Sequence, residues 1–194
     1  MKIILASNSP RRREALSIAG YKFEIIPGNI DEETAQGLPP DVMTLELAKR
    51  KALYIKDFIE NHYASGKPTL IIGADTTVYI NGVCLGKPKN EKDATRMLTL
   101  LQGQAHEVYT GVCIIGAFSD FETKTFVEKT IVNMRALTPK EISAYIATGE
   151  PFDKAGAYGI QEKGALLIER ICGDYFNVAG LPLCKLNLIL REYL

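Results

Sequence analysis

The sequence predicts an α/β fold, and three observations carry that reading. Apolar runs of strand length, at 2–6 and 69–74, alternate with stretches whose apolar residues recur at spacings of three and four. Asn81-Gly82 lies inside VYINGVCL, the strongest short hairpin signal, so an antiparallel pair is expected as well. Composition agrees: 194 residues, 46% hydrophobic and 24% charged, suit one ordinary domain or two small lobes sharing a core. A chain of this size buries roughly 70% of its unfolded surface, so neither a disulfide nor a metal is needed to hold it together.

The elements follow in order. KIILA (2–6) reads as a buried first strand. Ser9 is placed to N-cap a helix, with Pro10 at its first position and Gly20 past its end. Residues 41–60 hold the longest helical pattern, with Leu45, Ala48, Ala52, Ile55 and Ile59 as its apolar stripe. TLIIGA (69–74) is a second apolar run, ending at the Asp75 segment, and the hairpin follows it. Asn90 caps a helix that turns Ala94, Met97, Leu98 and Leu101 inward and stops at Gly103. Strands are expected over 107–117 and 123–133. Thr138 and Glu141 form a capping box opening a helix through Ile142, Tyr145 and Ile146 to Gly149. GALLIERI (164–171) reads as a late strand and 183–193 as a closing helix. No linker, repeat or low-complexity tract interrupts the chain, so 1–194 is expected to be a single domain.

Charge and composition exclude several function classes. Lys and Arg number 23, as do Asp and Glu, so the basic excess of a dedicated nucleic-acid binder is missing. The longest uninterrupted apolar stretch, 111–118, is far short of the ~20 residues that span a bilayer. The first ten residues have too short an apolar core for a signal peptide. Cys84, Cys113, Cys172 and Cys184 form no CxxC pair, which suggests small buried hydrophobes in a reducing compartment. A cytoplasmic protein with no membrane or nucleic-acid partner is expected.

Five segments look chemical. Ser9-Pro10-Arg11-Arg12-Arg13 puts three arginines where a helix dipole disfavours cations, an arrangement that becomes favourable once a multiply charged anion sits at the helix tip. Ser7 and Ser9 could join the free N–H groups there. No GxxxxGK[ST] loop occurs. In the hairpin, residues summing to 163 face one another, which sets Thr76 opposite Lys87 and brings Asp75 close to that lysine. Asp75 then reads as a salt-bridge partner, a metal ligand or a general base. Lys51 shares a helical face with Leu47, Tyr54 and Phe58, so it either snorkels or reaches an anion. Asp31-Glu32-Glu33 is either a solvated acidic loop or the oxygen-rich cluster that Mg²⁺ or Mn²⁺ needs. Residues 149–161 combine three glycines with charged and amide side chains, which suits a ligand-wrapping loop; an Asp153–Lys154 ion pair is the plainer reading. His62 and His106 read as surface or loop histidines without a catalytic partner.

Taken together, LASNSPRR (5–12), AKRKA (48–52), GADTTV (73–78), GKP (86–88), DKAGAYGIQ (153–161) and NVAGLP (177–182) resemble the Maf family of nucleoside triphosphate pyrophosphatases, nearly end to end. The resemblance implies a mixed, strongly twisted α/β sheet with flanking helices and two lobes around a central cleft, as in inosine triphosphatases. It implies hydrolysis of the α–β phosphate bond with a divalent cation, Mg²⁺ or Mn²⁺, and a homodimer. DKAGAYGIQ is similar to the members acting on dTTP and UTP, rather than 7-methyl-GTP. By the same resemblance Ser7, Arg11, Arg12, Lys51 and Lys87 line the triphosphate path, and Asp75 is the proton acceptor. Arg12, Thr76 and Gln161 bear on base choice. Asp75 with Asp31 or Glu32 would hold the cation, Asp31 standing where relatives often carry glutamate. Arg12 and Lys87 would act in catalysis beside Asp75. A nucleotide-sensing inhibitor of septum formation, working through a partner, is the alternative from another class.

Overall fold

The computed structural model describes residues 1–32, 35, 37–63 and 66–193. Its architecture is mixed α/β, built on a seven-stranded sheet in the order β2-β1-β3-β5-β6-β7, with β4 paired to β3. The strands are β1 (Lys2–Leu5), β2 (Glu24–Ile25), β3 (Thr69–Ile80), β4 (Val83–Leu85), β5 (Ala105–Ala117), β6 (Lys124–Met134) and β7 (Ile168–Cys172). Helices α1 (Pro10–Ile18), α2 (Pro40–His62), α3 (Glu91–Leu101), α4 (Pro139–Ile146), α5 (Tyr175–Ala179) and α6 (Leu183–Leu190) intervene. β1 runs parallel to both β2 and β3, whereas β4 and β7 pair antiparallel to β3 and β6. Among the described residues no helix is long and apolar enough to cross a membrane.

The chain forms two compact units, the first from 1–75, 110–128 and 180–194, the second from 76–109 and 129–179. In the first, Ile4, Ala6 and Ile71 of the parallel strands pack with Ala48, Ala52, Ile55 and Ile59 of α2 and with Cys113 and Ile115 of β5. Close approach of α2 to β3 depends on Gly73, because a Cβ there would overlap the Ala48 carbonyl. In the second unit, Ala94, Met97, Leu98 and Leu101 of α3 join Val108, Val132 and Met134 of the strands and Ile142, Tyr145 and Ile146 of α4. The expected caps are present: Asn90 accepts from the Asp93 amide, and Thr138 and Glu141 complete their reciprocal capping box.

The hairpin register is the expected one, Val78 opposite Leu85, Tyr79 opposite Cys84 and Ile80 opposite Val83. Asn81 and Gly82 both take positive φ, 50° and 81°, as a type I′ turn requires. Other expectations are corrected. The strand does not end before Asp75. It continues unbroken through Gly73, Asp75 and Thr76, residue types that read as a terminus because Gly and Asp are poor strand formers. The late strand covers only Ile168–Cys172, because 162–167 coil into a 3-10 helix that leaves Leu166 exposed. Within the described part of the closing segment, helix covers Leu183–Leu190 and the next three residues form turn. Cys172 and Cys184 are exposed rather than buried; all four cysteines are free thiols. The two-residue β2 and five-residue α5 carry no periodicity of their own and are held by pairing and packing.

Candidate active site

In the first unit the functional residues converge at the ends of β1 and α1, on α2 and in the middle of β3. Ser9 caps α1, its side chain accepting from the Arg12 amide, and Pro10 opens the helix. Arg12 then points inward from the first turn and is buried, unlike half-buried Arg11 and exposed Arg13. Its Nε donates to the Gly180 carbonyl at 2.8 Å, and its terminal nitrogen donates to Ser7 Oγ at 3.1 Å. Ser7 is itself buried and also accepts from the Ser9 amide. LASNSPRR and NVAGLP thus meet at one guanidinium, whose orientation is set by two fixed acceptors. Burial works against its charge, and Asp75 offsets that cost.

Lys51 and Asp75 form the centre of the cluster. Lys51 Nζ lies 2.6 Å from Asp75 Oδ1 and 2.6 Å from Glu32 Oε1, so one buried ammonium joins two carboxylates. Lys51 belongs to the inward stripe of α2, with Thr44, Leu47, Ala48, Ala52, Ile55 and Ile59. Tyr54 and Phe58, expected on its face, are exposed, and Leu45 is only partly buried. The spacing rule found Leu47 and Lys51 but followed the wrong ridge beyond them. The loop carrying Glu32 rests on α2 through Gly28, where a Cβ would come within 2.7 Å of the Lys51 carbonyl. Burial raises the Asp75 pKa, opposed by Lys51 and Arg12 and reinforced by Glu32. The result is a carboxylate that takes up a proton more readily than an ordinary aspartate, held on a rigid strand beside two cations.

Of the three loop acids, Asp31 and Glu32 are exposed, and Glu33 lies outside the described residues. Among the described residues no three His, Cys, Asp or Glu side chains gather as a ready-made metal cage. The donors present, Asp75 and Glu32, suit a hard cation that keeps waters and takes its remaining ligands from phosphate oxygens.

The second unit carries the remaining candidates. Thr76 follows Asp75 along β3 and is half-buried. Lys87 is exposed just past the end of β4, in the Gly86-Lys87-Pro88 segment. The charged groups that act on the Asp75 carboxylate are Lys51, Arg12 and Glu32, none of which belongs to the hairpin. Lys51 lies 24 positions upstream in sequence, and local pairing rules do not reach that far. The loop 149–161 is a chain of 3-10 turns. Lys154 is buried in it, its Nζ donating to the Glu150 carbonyl and to Asp153 Oδ1 at 2.8 Å each, so the ion pair is structural. Gln161 is half-buried at the start of the 3-10 helix Glu162–Leu167. His62 is exposed at the end of α2. His106, expected at the surface, is buried in β5 with Nε2 2.6 Å from Tyr158 Oη. Its neighbours Ala105 and Glu107 are more open, and sequence alternation gave no sign of the difference.

Comparison with known proteins agrees with the motif reading. The Maf-like protein family matches residues 2–193. A protein named dTTP/UTP pyrophosphatase from Caldicellulosiruptor saccharolyticus is 47% identical over 191 residues, covering 98% of this chain and 94% of the relative. The proteins of that name from Acetivibrio thermocellus and Bacillus pumilus are 47% and 45% identical, covering 100% and 99% of this chain and 96% of each relative. Among solved structures, the Ham1 protein of Staphylococcus aureus aligns over 99% of both chains at 15% identity with a TM-score of 0.49. Family match and relatives extend over the whole chain, including every segment that builds the Arg12, Lys51 and Asp75 cluster: the chain belongs to the Maf family.

Proposed function

We propose that this protein hydrolyses dTTP and UTP to the nucleoside monophosphate and pyrophosphate. The observation that carries the proposal is the buried Asp75 carboxylate, its pKa raised by burial, set between Lys51 and Arg12. A solvated salt bridge needs no such burial, and a buried ion pair is often no more stable than apolar residues of the same volume. A base flanked by fixed cations suits a reaction in which water loses a proton while a polyanion departs. The names of relatives at 45–47% identity, dTTP/UTP pyrophosphatase, support the substrate.

In this reading water attacks the α-phosphorus in line with the bridging oxygen to the β-phosphoryl group. The new O–P bond forms as the bridging P–O bond breaks, and the proton of the water passes to Asp75. Arg11, Arg12, Lys51 and Lys87 take up the negative charge of the departing pyrophosphate, with Ser7 holding Arg12 in place. Asp75 on β3 and Glu32, with Asp31 next to Glu32 in the loop, would hold a divalent cation, Mg²⁺ or Mn²⁺. Bound there, such a cation supplies charge neutralisation at the phosphates. Lys51 already pairs with the same two carboxylates, so the ammonium and a bound cation would share their negative charge. Thr76 and Gln161 are assigned to the base. A uracil or thymine edge presents acceptor, donor and acceptor, and a Gln amide matches it with two hydrogen bonds.

Pyrophosphate release, measured with dTTP, UTP, CTP, GTP and 7-methyl-GTP in Mg²⁺ and in Mn²⁺, tests the proposal. Turnover of dTTP and UTP well above the other three is expected. Nucleotide binding without release would replace the enzyme by a sensor, and a preference for 7-methyl-GTP would reassign the substrate.

A further inference from the structure

His106 and Tyr158 form a buried polar pair that the chemistry above does not use. The imidazole is 2% exposed and the phenol 4%. Their rings meet edge to face, with centroids 5.3 Å apart at 83°, and Nε2 lies 2.6 Å from Oη. The other ring nitrogen, Nδ1, is buried without a hydrogen-bond partner among the described residues. Whichever tautomer is present, the buried ring leaves one polar atom unsatisfied, and its partner Tyr158 belongs to the apolar cluster of Val108, Ala157 and Leu167. An apolar pair would fill this space without that cost, so the single hydrogen bond needs a reason.

The reason lies in what Tyr158 precedes. The next residue, Gly159, donates its amide to Tyr145 Oη, a side chain of α4. The chain then turns through Gln161 and returns at Gly164, where a Cβ would overlap the Gly159 carbonyl and lie 2.8 Å from Tyr145 Oη. The Glu150 carboxylate accepts the Lys163 and Gly164 amides on the returning limb. Gln161 is therefore the apex of a short loop closed at its base by Tyr145, Glu150 and the bare backbone of Gly164. His106 ties the entry of that loop to β5, a long strand of the sheet.

We propose that His106, acting through Tyr158, is a positioning residue for Gln161 and so for nucleobase selectivity. This rests on the assignment of Gln161 to the base. With the bond intact, the entry limb cannot slide along β5 and the amide keeps one orientation. Without it the loop remains closed at its base, but its apex rotates about that closure. Binding of the matched base then weakens, while the chemistry of Asp75, Lys51 and Arg12 is untouched.

The test is kcat/KM for UTP and CTP on four proteins: wild type, Tyr158→Phe, His106→Gln and Gln161→Ala. Tyr158→Phe keeps the ring and its packing and loses only the oxygen. It should lower the UTP-over-CTP ratio about fivefold, the value of one hydrogen bond, through a higher KM for UTP with CTP unchanged. His106→Gln places an amide nitrogen near the lost Nε2 and should keep most of the ratio. A purely structural pair would instead lower both nucleotides alike and follow the thermal midpoint. If Gln161→Ala collapses the ratio while Tyr158→Phe leaves it at the wild-type value, the positioning role is overturned and Gln161 keeps the base. If Gln161→Ala itself leaves the ratio unchanged, the base assignment falls and the positioning role with it. Should Tyr158→Phe not fold, His106→Phe compared with His106→Gln reads the same ratio.

Discussion

Acid should destabilise this protein through His106 by an amount that the structure sets. Burial lowers the imidazole pKa from 6.5 to about 4. Below pH 6.5 the unfolded chain takes up a proton that the folded chain refuses, so stability falls as the pH drops towards 4 and is level below it. At 1.36 kcal/mol per pH unit, the full loss is about 3 kcal/mol, of which about 2 kcal/mol falls between pH 7 and pH 5. His106→Gln removes the titration and leaves His62 and every carboxylate in place, so the difference between the two proteins isolates the one group. Urea unfolding at pH 7, 6 and 5 measures it. With a slope of about 2 kcal/mol/M, the wild-type midpoint should move down by about 1 M relative to the variant over that range. A midpoint difference constant with pH would mean that the imidazole titrates as in water. Burial of His106 in β5 would then be wrong, and with it the anchor of the Gln161 loop.

Three further outcomes follow from the site in the first unit. Asp75→Asn keeps the shape and the hydrogen bond to Lys51 but cannot take a proton, so turnover should fall at least about a hundredfold with nucleotide affinity largely retained; a variant keeping a tenth of wild-type kcat would remove Asp75 from the chemistry. Arg12→Ala and Lys87→Ala should each lower kcat more than they raise KM, because their charges meet the pyrophosphate as it departs; a change confined to KM would make them uniform binders instead. Lys51→Met leaves the buried Asp75 carboxylate without its 2.6 Å partner, a loss of about 3 kcal/mol, or roughly 6–12 °C in the thermal midpoint. The Asp75 pKa should rise further with that counter-charge gone, moving the acid limb of the pH–rate profile upward; an unmoved midpoint and limb would show that the pair is solvated.

What the sequence made legible, and what it did not, divides by the range of the interaction. The α1 cap at Ser9, the capping box of α4, the Asn81-Gly82 turn and the inward face of α3 are all decided within about four residues, and each stands where local rules put it. Lys51 was conspicuous for a related reason, since a lysine on an apolar helical face is visible from spacing alone. Its partner was not visible. The hairpin register is correct and still led to Lys87, because pairing rules describe a neighbour along the ladder and not a helix packed across the sheet. Gly73 is the residue that brings α2 down onto β3, yet in sequence it reads as the end of a strand. The same holds for His106, buried in β5 and hydrogen-bonded to Tyr158, 52 positions away. NVAGLP shows the limit from the other side. The motif marked the segment as important, but only the fold reveals that the Gly180 carbonyl receives Arg12, 168 residues distant in the chain. A backbone carbonyl carries no side-chain identity, and no pattern of residue types could have named it. The electrostatic core of the site is therefore assembled from contacts that composition and periodicity cannot encode, while the elements that deliver those contacts are encoded almost entirely locally.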